Sequence, residues 1–262
     1  MIDLTGHNAL ITGSTQGVGQ AIAVAMAHAG ANVVIHGLHD DATAQATLQL
    51  CQTTGQTAEL LTADLASDVQ QATQQLCADA LELNPDIDIL VNNAGTYIDK
   101  PFLEMDYATF DKTMQLNVYA GYFLTQQFSK HWVQQATKGR VLFIGSINGK
   151  LAEDVHTAYD TSKGAVETMV KTLAVSLAPL NIRVNGLAPG LFYTPLTATA
   201  LDDPQFLKWM QQHTPNGQVP AADVCGDGAV YLVSDAARHV CGHMLMVDGG
   251  MSIWQQPDPQ KT

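Results

Sequence analysis

Residues 9–30 read ALITGSTQGVGQAIAVAMAHAG: a short apolar run, a glycine-rich turn and an alanine-rich helical stretch. Ala9 to Ile11 suits a buried strand, and Val18 to Ala29 suits a helix. Between them, Gly13, Gly17 and Gly19 permit a tight turn. They also let the backbone around Thr15, Gln16 and Val18 approach an anion at the helix start, where the helix dipole favours negative charge. A dinucleotide pyrophosphate suits that position. The spacing is GxxxGxG rather than GxGxxG, and the same turn can simply close a helix on a strand, so it is weighed with its surroundings.

The strand–turn–helix alternation continues along the chain. Further strands are predicted at Asn32 to Ile35, Glu59 to Leu61, Ile87 to Val91, Arg140 to Ile144, Ile182 to Leu187 and Met244 to Val247. Helical stretches lie between them at Asp41 to Gln52 and near 68–83, 106–135, 157–178 and 221–233. This pattern predicts an α/β fold with seven parallel strands covered by helices. One domain is expected over 1–254, with a flexible tail at 255–262. The connection 191–220 breaks the rhythm with Pro195, Pro204, Pro215 and Pro220. Its apolar residues Phe192, Phe206, Trp209 and Met210 are read either as a lid on the substrate side or as a small satellite cluster.

Composition narrows the partners. With 46% apolar and 14% charged residues, the chain suits one globular core. A net charge of −13 with only 12 Lys and Arg argues against nucleic acid. Cys51, Cys77, Cys225 and Cys241 are widely spaced with no metal-ligand pattern, so neither a metal nor a redox pair is expected. The N-terminal residues show no signal-peptide pattern, and no run approaches the length of a membrane span; a cytoplasmic protein is expected.

Polar groups and glycines collect at the predicted strand ends. Asp64 and Leu65 follow the third strand, Asn92-Asn93-Ala94-Gly95 the fourth, Ser146 the fifth, and Pro189-Gly190 with Thr194 the sixth. Open α/β sheets bind ligands at such ends. Tyr159-Asp160-Thr161-Ser162-Lys163 then places a phenol and an ammonium four residues apart, on one face of a helix. A phenol is a poor base at neutral pH, and a nearby positive charge favours its ionised form.

Taken together, TGSTQGVG at 12–19, NNAG at 92–95, Asn117, Ser146, YDTSK at 159–163 and VDGG at 247–250 resemble the short-chain dehydrogenase/reductase family. The resemblance spans Asn8 to about Met251. It implies a doubly wound (Rossmann) sheet in order 3-2-1-4-5-6-7, a nicotinamide cofactor and a homotetramer. It implies a catalytic tetrad of Asn117, Ser146, Tyr159 and Lys163. Tyr159 would be general acid/base, Ser146 would bond the reacting oxygen, Lys163 would bond the nicotinamide ribose, and Asn117 would hold a water that relays protons to Lys163. The cofactor would touch Gly13, Thr15, Gln16, Gly17, Val18, Gly19, Gly37, Leu38, Asp64, Leu65, Asn93, Ala94, Gly95, Tyr159, Lys163, Pro189, Gly190 and Thr194.

The residues after the second strand bear on the choice of cofactor. Gly37 stands where NAD-specific relatives carry an acid, and Leu38 and Gln16 stand where NADP users often carry Arg. A 2′-phosphate would lack a basic partner, which favours NAD over NADP. His36 and His39 remain as sources of partial charge, or as solvated loop residues. For the substrate, Tyr97, Asn148, His156 and Tyr193 are candidate contacts and suit a hydroxylated molecule. A sugar or polyol dehydrogenase is therefore expected. Two alternatives stay open: an NADPH-dependent 3-oxoacyl-thioester (acyl-carrier-protein) reductase, and a catalytically silent nucleotide-binding regulatory protein.

Overall fold

The computed structural model describes residues 2–254, so the predicted tail at 255–262 lies outside the described residues. Its strands are β1 (Asn8–Ile11), β2 (Asn32–Gly37), β3 (Ala58–Thr62), β4 (Ile89–Asn92), β5 (Arg140–Ile144), β6 (Arg183–Pro189) and β7 (Met244–Val247). They form one parallel sheet in the order β3-β2-β1-β4-β5-β6-β7. The doubly wound fold expected from the sequence is the one observed.

The helices are α1 (Gly17–His28), α2 (Ala42–Gln52), α3 (Val69–Leu83), α4 (Tyr107–Met114), α5 (Ala120–Gln135), α6 (Thr157–Leu177), α7 (Ala198–Leu201), α8 (Pro204–Gln212) and α9 (Val224–Val233). Side-chain alternation along the strands builds a core on each face of the sheet. Ile11 packs with Ile22 and Met26 of α1 and Val230 of α9. Leu10 faces the other way, toward Leu76 of α3, Phe128 and Trp132 of α5 and Val166 of α6. Trp132 is wholly buried and its indole donates to Ile87 O at 2.7 Å. A Cβ at position 139 would lie 2.2 Å from that ring, so the turn into β5 needs Gly139.

Three differences from the predicted elements matter for the site. Strand β2 runs two residues beyond Ile35 and carries His36 and Gly37 into the sheet. The long helix predicted over 106–135 is α4 and α5 joined by a π-helical turn at Gln115–Tyr119, with Asn117 at its middle. The 191–220 connection holds two short helices, α7 and α8, while Phe192 leaves the supposed lid to join the core.

The two ends of the sheet differ in charge chemistry. At the strand starts, Arg140 pairs with Asp88 at 2.6 Å and Asp235 at 3.0 Å. Arg183 donates to Leu232 O, Val233 O and Ser234 O, the carbonyls that close α9, and to Ala237 O in the turn that follows. The strand finishes, by contrast, open into a cleft.

Candidate active site

A cleft of ≈ 460 Å³ opens at the carboxyl ends of β1, β2, β4, β5 and β6. Its lining includes every expected cofactor position: Gly13, Thr15 to Gly19, Gly37, Leu38, Asp64, Leu65, Asn93 to Gly95, Tyr159, Lys163, Pro189, Gly190 and Thr194. It also includes Thr96, Leu116, Leu196 and Thr197, which sequence reasoning missed because nothing in their local pattern marks them.

The glycine turn is locked to the NNAG turn by Thr12, a further missed residue. Its hydroxyl accepts from Asn93 N and Ala94 N, both at 3.0 Å, and Asn93 Nδ2 donates back to Thr12 O and Gly13 O at 2.9 and 2.8 Å. Gly13 sits at φ +60°, and a Cβ there would lie 2.8 Å from Ala94 Cα. The fit to an anion shows at the start of α1. Helices α2, α3 and α4 each begin with an aspartate whose carboxylate takes the first free N–H groups: Asp41, Asp68 and Asp106. Helix α1 is preceded by Gln16, which provides no side-chain cap. A pyrophosphate fits a helix start that keeps its donors and carries no acid.

His36 is corrected by the structure. It is neither a solvated loop residue nor a source of charge for a 2′-phosphate, because it is 3% exposed within β2. Its Nδ1 accepts from Gly13 N at 3.2 Å, so the proton sits on Nε2, 3.2 Å from Ala63 O. Burial lowers its pKa to about 4. The ring is a neutral strut under the glycine turn. His39 is exposed.

Three elements deliver the four expected catalytic residues. Helix α6 presents Tyr159 and Lys163 one turn apart, and Lys163 Nζ lies 5.5 Å from the centre of the Tyr159 ring. Lys163 is buried and donates to Ile144 O at 3.0 Å. Burial lowers its pKa from 10.5 to about 8. Burial also raises the Tyr159 phenol, opposed by a hydrogen bond from Ser146 and reinforced by Asp160 and Glu153. In the protein alone, then, burial outweighs the Ser146 hydrogen bond and favours the protonated phenol. Ser146 follows β5 and faces the same cleft, its oxygen accepting from Asn148 N at 3.1 Å.

Asn117 spends its side chain on structure. Its Oδ1 accepts from Thr96 N at 2.7 Å, and its Nδ2 donates to Thr96 O and to Ser162 Oγ, both at 2.9 Å. The π turn, in which Ala120 N reaches back to Gln115 O, swings this amide between the NNAG turn and α6. Ser162, inside YDTSK, is another missed residue.

The candidate substrate residues separate. Tyr97 lines the cleft with its ring edge-on to Tyr159, centroids 5.4 Å apart. Its hydroxyl is 2.8 Å from Nε2 of buried His156. Asn148 is buried and donates to Asp160 at 2.8 Å and Glu153 at 3.2 Å. Tyr193 is 45% exposed, and its hydroxyl is committed to Asp202.

Comparison with known proteins follows the same lines. The family described as enoyl-(acyl carrier protein) reductase matches residues 13–252. The chain is 31% identical over 250 residues to an L-rhamnose 1-dehydrogenase (NAD(P)(+)) of Sphingomonas sp. (strain SKA58), covering 95% of this chain and 98% of that one. It is 34% identical to the 5-keto-D-gluconate 5-reductase of Escherichia coli (strain K12), covering 97% and 98%. A gluconate 5-dehydrogenase from Burkholderia cenocepacia, solved with NADP and tartrate, superposes with a TM-score of 0.89 at 31% identity, covering 97% and 98%. The chain therefore belongs to the short-chain dehydrogenase/reductase family and is an NAD(P)-dependent oxidoreductase acting on CH–OH groups.

Proposed function

We propose that the protein interconverts a secondary alcohol or hemiacetal of a sugar or polyol with the carbonyl, using Tyr159 as general acid/base. The observation that carries this reading is the convergence of Tyr159, Lys163 and Ser146 on one cleft, opposite the uncapped start of α1. The names of its sugar-converting relatives support the substrate class. No feature of the site favours an acyl-thioester substrate.

Bound nicotinamide supplies the hydride acceptor. In oxidation, Tyr159 as phenolate would take the hydroxyl proton while the same carbon gives up its hydride; in reduction, the protonated phenol would give its proton to the carbonyl oxygen. Ser146 donates a hydrogen bond to that oxygen. Lys163 holds positive charge beside the phenol and would offer its remaining N–H donors to the cofactor ribose. Asn117 fixes the NNAG turn against α6, so that the two halves of the site keep their spacing.

NAD is the favoured cofactor. At the end of β2, Leu38 is 55% exposed and Gly37 carries no side chain, while His36 is neutral and inward. No cation of that strand meets a 2′-phosphate. A single domain over 1–254, with 191–220 acting as a substrate-side lid, completes the reading. Exposed apolar residues on α5, namely Tyr122, Phe123 and Val133, support self-association, with a homotetramer as the assembly. Buried Cys51, Cys77 and Cys225, their thiols pushed up by burial to between about 11 and about 12, suit the reducing cytoplasm.

The test is reduction of NAD and of NADP at 340 nm against a panel of sugars, polyols and hydroxy acids. Turnover with a sugar, lost by at least about 10²-fold in Tyr159→Phe, is expected. Retained activity in that variant would overturn the assignment.

A further inference from the structure

The relatives act on two kinds of molecule, uncharged sugars and sugar acids, and the substrate end of the cleft separates them. Tyr97 Oη, His156 Nε2 and the Asp99 carboxylate meet at one point. His156 Nε2 is 2.8 Å from the phenol oxygen and 2.9 Å from Asp99 Oδ1. The imidazole is 9% exposed, and its Nδ1 lies 3.3 Å from Glu153 Oε1 without a hydrogen-bond partner. Glu153 and Asp160 are tied together, since Asn148 Nδ2 donates to both and Glu153 N donates to Asp160 Oδ2 at 2.9 Å. These acids are held in place beside the site. Two carboxylates, those of Asp99 and Glu153, lie against one imidazole, and Asp160 is tied to Glu153, so the set is net negative whether or not that imidazole carries a proton.

Compensating cations are few there. All three arginines of the chain stand elsewhere: Arg140 and Arg183 at the strand starts, engaged with Asp88, Asp235 and the end of α9, and Arg238 in the turn after α9. Carboxylate recognition commonly uses the two-pronged guanidinium. Lys100 is paired with Asp106, and Lys163 keeps its charge at the proton-transfer end, 5.5 Å from the Tyr159 ring, where it donates to Ile144 O. Lys150 and Lys208 are exposed, as are about half of the Asp99 and Glu153 side chains (52% and 58%), but neither lysine has an ion-pair partner among the described residues to hold it at the site.

We propose that this end of the cleft selects an uncharged polyhydroxylated substrate and rejects the corresponding sugar acid. Tyr97, held by His156 and Asp99, meets the substrate hydroxyls, and the surrounding carboxylates supply the repulsion that makes the choice. Their field reaches the reacting end: after burial, Asp160 and Glu153 are what raise the Tyr159 phenol. The inference rests on the sugar-dehydrogenase reading and deepens it.

Matched pairs test it: a hexose against the uronic acid that differs only by CH2OH becoming COO−, for example galactose and galacturonate, and an aldose against its aldonate. The expected kcat/KM is at least about tenfold higher for the uncharged member, a gap that narrows as salt rises from about 20 to 500 mM. Asp99→Asn and Glu153→Gln should shrink the ratio by raising turnover of the acid. The salt dependence of the unmodified enzyme needs no variant and stands even if one fails to fold. Equal or better use of the sugar acids, or a gap insensitive to both salt and the folded variants, would overturn the inference while leaving the sugar reading intact. Turnover of neither member with either cofactor would overturn both.

Discussion

Lys163 is the residue where function and stability oppose each other most clearly. An unfolded lysine keeps its proton to 10.5, whereas the folded one gives it up at about 8. Keeping the ammonium charged at neutral pH therefore costs about 3 kcal/mol, and stability climbs as pH rises from about 8 toward 10.5. Lys163→Met should abolish turnover and raise Tm. After about 1 kcal/mol is subtracted for the lost bond to Ile144 O, each remaining kcal/mol adds roughly 2–4 °C by calorimetry. A fall in Tm would show that the ammonium is stabilised by groups other than those described. The same group sets a pH limit: kcat/KM for carbonyl reduction should decline as pH rises through about 8, since the phenol remains protonated and only the lysine charge is lost. Leu38→Arg, on an exposed position, should raise kcat/KM with NADP by about tenfold or more with little change with NAD. Equal gains would mean the adenosine ribose lies elsewhere. Tyr159, Lys163 and Ser146 were legible because their chemistry follows local spacing on one helix and one strand end. His36 was not, because β2 continues past its β-branched run and turns the ring inward, which only the partner strands determine.

Among the elements, α8 is held least firmly. It buries no residue, while Phe206, Trp209 and His213 stack along one side, with Trp209 and His213 centroids 3.8 Å apart. Trp209→Ala should leave Tm within about 1 °C, as for a surface position, yet raise the substrate KM several-fold if the segment closes over the cleft. An unchanged KM would make the aromatic row a simple surface cluster. Sequence periodicity revealed that 106–135 is helical but not the π turn inside it. One extra residue per turn leaves no residue signature in Gln115–Tyr119, although it decides where Asn117 points. The proline-rich 191–220 stretch hid two helices for a related reason, since Pro204 opens α8 at a position where its missing N–H costs nothing.

For the whole molecule, charge and apolar surface pull in opposite directions. A chain of net charge −13 repels its copies, while Tyr122, Phe123 and Val133 expose apolar area on α5. Sedimentation should give about four times the 28.0 kDa chain mass at 150 mM salt, with a smaller species gaining ground near 10 mM. A monomer at both would sink the tetramer. The sheet was legible in the sequence because buried parallel strands read as apolar runs between helices; their order came through the family's shared motifs rather than through the runs themselves. That order also dictates how the molecule is made. From β5 onward each new strand joins the outer edge left by the one before, so this half of the sheet can assemble in the direction of its synthesis on the ribosome. Both sides of the cleft exist only after β6 emerges, and until Met244–Val247 arrives, β6 is a nascent edge with nearly every residue buried in the finished fold. A ribosome paused before β7 would hold all four candidate catalytic residues beside an open strand edge that only β7 covers.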